Sequence, residues 1–165
     1  MTRVVASSVS SHHPFVMTEE LRPPANDADW TAYHAIRRRV LFELRGKGAA
    51  YNANHPDEHA ANHHPFIYWT PHGPVGVIRL DVESAVAIFR LVAIREDVQR
   101  RGYGQRMLRA VEHFARAQGC TRAESHVFPG AVGFYERCGF TRVEATTTSS
   151  TVLMHKPLVA VRPDE

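Results

Sequence analysis

The chain has 165 residues, 44% hydrophobic and 22% charged, an ordinary globular composition that lets one domain bury a core without staples. Twenty basic against 17 acidic residues leave a formal charge of +3, too small an imbalance to announce a nucleic-acid binder. Two cysteines, Cys120 and Cys138, form no Cys-x-x-Cys pair; this excludes a disulfide framework and fits a reducing cytoplasm, with both thiols as small buried hydrophobes.

Residues 1–14 are polar and serine-rich and lack the apolar core and cleavage site of a signal peptide, so they are expected to form a disordered arm. No apolar run approaches the roughly 20 residues that span a bilayer, and no membrane contact is expected. Phe15 to Leu21 alternates as a first strand, ended by Pro23-Pro24. From Asn26 or Asp27, either of which can cap, Trp30, Tyr33, Ile36, Arg37, Val40, Leu41 and Leu44 trace a helical stripe that Gly46 and Gly48 stop.

Tyr51 to Pro65 is the unusual stretch, because with the neighbouring His72 it holds five of the 11 histidines. His55, His59 and His63 are four apart and would share one face of a helix, a spacing that suits a transition metal. Against a metal stand the absence of a Cys ligand, Pro56 just after His55, and the second shell that a short loop rarely supplies. None is therefore expected. Two readings stay open: a plain solvated loop, or a lid over a substrate site with Asp57 and Glu58 offering negative charge to a cation.

Phe66 to Thr70, Val75 to Asp81 and Ala85 to Ile94 then read as a three-strand meander joined by turns at Pro71–Pro74 and Val82–Ser84. The meander leads into Gln99-Arg100-Arg101-Gly102-Tyr103-Gly104-Gln105. Behind this turn, Met107, Leu108, Val111, Phe114 and Ala115 recur on one helix face while Arg106, Arg109, Glu112, Arg116 and Gln118 fall elsewhere, and Gly119 stops the helix. Gly102 and Gly104 permit positive φ and close approach to a ligand, and the helix N-terminus brings unpaired N–H groups and a positive dipole. Strand, glycine turn and helix together make a phosphate site.

Two familiar phosphate turns do not fit. A Walker loop needs Gly-Lys followed by Ser or Thr, which the chain lacks, and a dinucleotide fold needs a third glycine where Met107 stands. Farther on, Arg122 to Phe128 reads as a buried strand, Ala131 to Arg137 as a short helix ended at Gly139, and Phe140 to Ala145 with Thr151 to Met154 as a closing strand pair.

The Gln/Arg-x-x-Gly-x-Gly turn of residues 99–104 resembles the acyl-coenzyme A pyrophosphate loop of the GNAT N-acetyltransferases. Tyr135-Glu136-Arg137-Cys138-Gly139-Phe140, some 30 residues later, resembles the family's second hallmark, Tyr-Glu-x-x-Gly-Phe on a short helix. Arg37 to Glu43, followed by Tyr51 and Asp57-Glu58, also looks like the Arg-x-x-Val-Phe opening of one GNAT branch. The resemblance covers roughly residues 15–154.

It implies an α/β fold with a mixed, mostly antiparallel sheet of six or seven strands, flanked by helices and splayed between the fourth and fifth strands, in one acyl-CoA N-acyltransferase domain over residues 15–165. It further implies acetyl-CoA as co-substrate and a primary amine of a small molecule or peptide as acceptor, with a homodimer allowed. Val92, Ala93 and Ile94 would meet the pantetheine arm through backbone groups. Gln99, Arg100, Arg101, Gly102, Tyr103, Gly104 and Gln105 would hold the pyrophosphate, with Arg101 and Arg106 adding charge. Tyr135 matches the position that protonates the departing thiolate, and the Ile94 N–H is the candidate oxyanion donor.

Two departures bear on mechanism. The family's glutamate base falls here near Ile88, which leaves Asp81, Glu83, His126 and the histidines of the loop as open candidates. Phe128 stands where many relatives carry a pantetheine-binding Asn. A non-catalytic acyl-CoA-binding or sensing module is thus the alternative function, and a histidine metal site the third.

Overall fold

The computed structural model describes residues 18–144 and 150–159. The expected N-terminal arm and the Phe15 start of the first strand lie outside these residues. Among them, seven strands form one sheet in the order β1-β2-β3-β4-β5-β7-β6. These are β1 Glu20–Arg22, β2 His63–Thr70, β3 Gly73–Glu83, β4 Val86–Ile94, β5 Arg122–Val127, β6 Thr141–Arg142 and β7 Val152–Pro157. Only the β4–β5 pair is parallel. Helices α1 Asp27–Leu41, α2 Tyr103–Ala117 and α3 Val132–Arg137 flank the sheet. No described helix is long and apolar enough to cross a membrane.

The local chemistry follows the pattern in most places. Asn26 caps α1, its side chain accepting from the Asp29 N–H at 2.9 Å, which satisfies one of the orphan donors of the first turn. The expected stripe holds through Leu41, but Leu44 sits in a separate 3-10 turn, Glu43–Arg45, and is exposed. Gly119 and Gly139 take positive φ after α2 and α3. β5 is not uniformly buried, since Arg122 and His126 face outward. The closing pair is uneven: β6 has two residues against six in β7.

Two packed layers result. Ile78, Leu80, Phe66, Phe89, Met107, Leu108, Val111, Tyr135, Phe140 and Met154 belong to the large core under α2 and α3. Tyr33, Ile36, Ile67, Val77 and Ala93 form a smaller core under α1. Glu112, expected on the outer face of α2, is buried; Lys156 Nζ meets its two oxygens at 2.8 and 3.0 Å, and this pair ties β7 to the helix.

The sheet opens where β4 and β5 part. Their ladder runs from Val86↔Arg122 to Phe89↔Ser125 and stops. Just beyond, Leu91 adopts φ 56° and the β3–β4 register shifts between Val77 and Arg79. This is a bulge, with an extra residue bending β4, and it turns Leu91 to Ile94 away from β5.

Candidate active site

A cleft of about 1280 Å³ fills the gap between the strands and reaches the N-terminus of α2, Tyr135 and the loop after α1. Its wall along β4 presents backbone. Arg95 donates its N–H to the Val75 carbonyl at 2.8 Å, so the alternation of an antiparallel ladder points the polar groups of Ile94 away from β3, into the gap. The Ile94 carbonyl is taken there by Gln99 Nε2 at 2.9 Å. The Ile94 N–H faces the gap, beyond the last β5 pair. Ala93, paired with Val77, lines the cleft but by the same alternation directs its own polar groups to β3.

At one end the chain makes a backbone cradle. Arg100 has φ 63° and Gly102, the N-cap of α2, has φ 81° with no side-chain cap. The first helical bond runs from the Arg106 N–H to the Gly102 carbonyl, leaving the N–H groups of Tyr103, Gly104 and Gln105 at the open helix end. Left-handed residues beside a helix N-terminus make an anion-binding concavity. Gly104 has a second duty: a Cβ there would lie 3.0 Å from the Phe134 ring and 3.5 Å from Ile94 Cγ1, so glycine allows α2 to approach α3 and β4.

The side-chain charge near this cradle differs from expectation. Arg106, foreseen as a phosphate ligand, is held by Glu19 through Nε at 2.7 Å and Nη2 at 3.0 Å. Its charge is locally neutralised. Arg100 lines the cleft, Arg101 does not, and Arg137 joins from α3.

Tyr135 borders the cleft, 6% exposed, against Phe134 and Phe140. Burial pushes its phenol up to about 12. The Ser125 hydroxyl donates to the Phe89 carbonyl at 3.0 Å and lies 3.4 Å from the Tyr135 hydroxyl. The phenol thus sits at the last β4–β5 pair, where the strands begin to part.

The other end is ionic. Arg37 of α1 donates to Glu58 at 2.6 Å and to the Tyr33 hydroxyl at 3.0 Å. Arg79 grips Asp81 through Nε at 2.8 Å and Nη2 at 3.1 Å, with Nη1 3.6 Å from Glu58. Arg90, the first residue past the β4–β5 ladder, donates through Nε to Asp81 at 2.7 Å. Glu58 and Asp81 are almost fully buried and lie outside the cleft lining, whereas Arg37, Arg79 and Arg90 form part of it.

Several expectations change here. Glu58 is sequestered by two guanidiniums and cannot serve a lid as surface charge; exposed Asp57 alone lines the cleft. Pro56–His59 is a single 3-10 turn and His63 opens β2, so His55, His59 and His63 do not share a helix face. His59 packs on Trp30, His63 meets Asp81, and His64 packs on Phe114. Of the base candidates, Asp81 has its oxygens occupied and Glu83 lies at the far end of β3, while His55 and His126 border the cleft. Phe128, in place of the Asn, is stacked by Arg45 at 3.9 Å. The segment after α1 is thereby fastened to the end of β5. This contact, the bulge at Leu91 and the Arg37–Glu58 pair went unforeseen; only Arg37, charged within an apolar stripe, carried a hint.

The geometry is matched by known proteins. A protein from Lactobacillus plantarum described as a putative N-acetyltransferase superposes with TM-score 0.72 at 26% identity, covering 86% of this chain and 99% of that one. The PaiA N-acetyltransferase of Thermoplasma acidophilum, solved with coenzyme A, gives 0.66 at 13% identity over 86% and 99%. Spermidine N-acetyltransferase from Vibrio cholerae, solved with CoA and spermine, gives 0.62 at 18% over 86% and 96%. The acetyltransferase (GNAT) family model matches residues 25–140, and the chain belongs to the GNAT acetyltransferase family.

Proposed function

We propose that the protein moves an acetyl group from acetyl-CoA to a primary amine of a small molecule or peptide, acting in the cytoplasm as one domain over residues 15–165. One observation carries this reading: the strands part at Phe89 and Ser125, and the gap opens on an uncapped helix N-terminus at one end and a buried phenol at its apex. The pyrophosphate rests on the N–H groups of residues 102–105 with Arg100 alongside, and the pantetheine arm pairs with Val92 and Ile94 like an added strand.

Attack of the amine on the thioester beside Tyr135 makes a tetrahedral oxyanion, which a gap-facing backbone N–H of β4 near the apex stabilises. Ile94, five residues from Phe89 and so roughly 15 Å away along the strand, serves the pantetheine arm instead. Collapse forms the amide and expels the coenzyme A thiolate. Tyr135 donates a hydrogen bond to the sulfur as charge develops. Its phenol, at about 12, is a weaker acid than an ordinary thiol at about 8.5, so it stays protonated and assists departure without giving up its proton for long. The proton that ends on the thiol comes from the attacking nitrogen, relayed through water or through His55 or His126 at the cleft edge.

Free-thiol release from acetyl-CoA, measured over a panel of amines with the acetylated product weighed by mass spectrometry, tests the reading. Amine-dependent thiol release and a mass gain of one acetyl group are expected. Cofactor binding without release of thiol by any amine would leave an acyl-CoA-binding module instead.

A further inference from the structure

Resting on the transferase reading, we infer that the acceptor carries an anionic group, a carboxylate or a phosphate monoester, beside the amine that is acetylated, and that Arg90 receives it. Among the described residues the cleft is lined by seven Arg or Lys side chains, Arg37, Arg45, Lys47, Arg79, Arg90, Arg100 and Arg137, and one carboxylate, Asp57. Arg100 belongs to the cofactor's cradle, whereas Arg37, Arg79 and Arg90 are linked through Glu58 and Asp81 beside the point where the strands part, near which the amine must arrive.

The counter-ions stand behind this wall. Glu58 and Asp81 have side chains 1% and 3% exposed, so they neutralise the arginines from the protein side and leave guanidinium edges toward the cleft. Arg79 holds Asp81 through two nitrogens and its side chain is only 6% exposed. Arg90 is the open one: Nε holds Asp81, the side chain is 39% exposed, and its two Nη groups make no hydrogen bond among the described residues. A fixed Nε with a free terminal edge is a pre-oriented fork for a planar or tetrahedral oxyanion. Because Arg90 directly follows Phe89, the partner of Ser125 at the apex, an anion held there keeps the rest of the acceptor within reach of the thioester. A polyamine would find Glu58 and Asp81 buried and already paired with these arginines, with exposed Asp57 the one carboxylate open to it among the described lining residues.

Pairs of amines differing only in the anion decide the matter. Amino acids are compared with their carboxamides, amino-sugar phosphates with the free amino sugars, and spermidine is added as polycation. Thermal shifts are read in saturating coenzyme A, and thiol release in acetyl-CoA. Expected are a shift confined to anionic members and at least a tenfold preference in kcat/KM, carried mainly by KM; the two pairs tell carboxylate from phosphate. Arg90→Gln should reduce the preference to within about threefold, Arg90→Lys should keep part of it, and both should retain the shift given by coenzyme A alone. Faster acetylation of neutral amines or spermidine overturns the inference while upholding the transferase. Anionic amines that shift the coenzyme A complex but release no thiol uphold the anion site and overturn the transferase. If no anionic amine either binds or reacts, the inference is wrong.

Discussion

On the side of the sheet covered by α2 and α3, the buried surface is almost wholly apolar, from Phe66 and Leu80 through Leu108 and Val111 to Phe140. On the side covered by α1, Tyr33, Ile36, Ile67, Val77 and Ala93 adjoin Arg37, Glu58, Arg79 and Asp81, all buried. One strand serves both, since alternate residues of β3 point to opposite faces: Ile78 and Leu80 go to the first, Val77, Arg79 and Asp81 to the second. The apolar face sets the position of α2, and with it the glycine turn, by close packing. The ionic face spends buried charge on a wall that cleft contents will meet. Close apolar packing and buried ion pairs thus occupy different sides of the same strand.

Breaking each face should have different signatures. Glu58→Ala leaves Arg37 buried with no carboxylate partner and is expected to cost about 3–5 kcal/mol in urea unfolding. Arg37→Met with Glu58→Leu removes both charges and should cost much less. Leu108→Ala on the other face should cost about 2–5 kcal/mol whatever is done at position 37. Equal losses in the single and double ionic variants would show that the pair does not act as a unit.

At the apex, Tyr135→Phe should lower kcat by about 10²-fold while leaving KM and the cofactor's thermal shift in place. Alkaline unfolding sharpens the same point. Burial pushes the Tyr135 phenol from 10 to about 12, and burial with the Glu19 hydrogen bond does the same for Tyr68. The folded chain therefore keeps protons that the unfolded chain releases above pH 10. This stability is complete below pH 10 and is lost as pH rises through 12, on the order of 2–3 kcal/mol per phenol. A pH titration of melting temperature should show a shallower alkaline fall in Tyr135→Phe.

Gly104→Ala tests the packing of the cradle. Its Cβ meets the Phe134 ring, and a stability loss of about 1–3 kcal/mol is expected, together with a smaller shift by acetyl-CoA. The smallest effect belongs to Arg106→Gln. With Arg106 held by Glu19, the loss should be under about 1 kcal/mol, and calorimetric affinity for acetyl-CoA should scarcely change. A tenfold loss of affinity would mean that Arg106 leaves Glu19 for the ligand.

The apolar face was the more legible of the two. Period 3.6 in residues 107–115 and glycines at 102 and 104 place α2 and its turn without tertiary information, and the order of strands with two spaced motifs suffices for the splayed sheet. Arg37 could be put on the inner stripe of α1, yet its partner lies 21 residues away on a 3-10 turn, a pairing that no local spacing encodes. Ion pairing between distant elements likewise buries Glu58, expected as surface charge, and holds Arg106 to Glu19. The bulge escapes notice because Leu91, unlike glycine, gives no sign of a positive φ, and Glu112 looked like surface because Lys156 is 44 residues on.

The most direct test of the central claim, that the parted strands form an acyl-CoA site, is a thermal melt with and without acetyl-CoA. A ligand bound only by the folded chain adds about 2.7 kcal/mol at 100 times its dissociation constant, so the transition should rise by several degrees, and by less in Gly104→Ala. An unchanged melting temperature at millimolar acetyl-CoA would contradict the account.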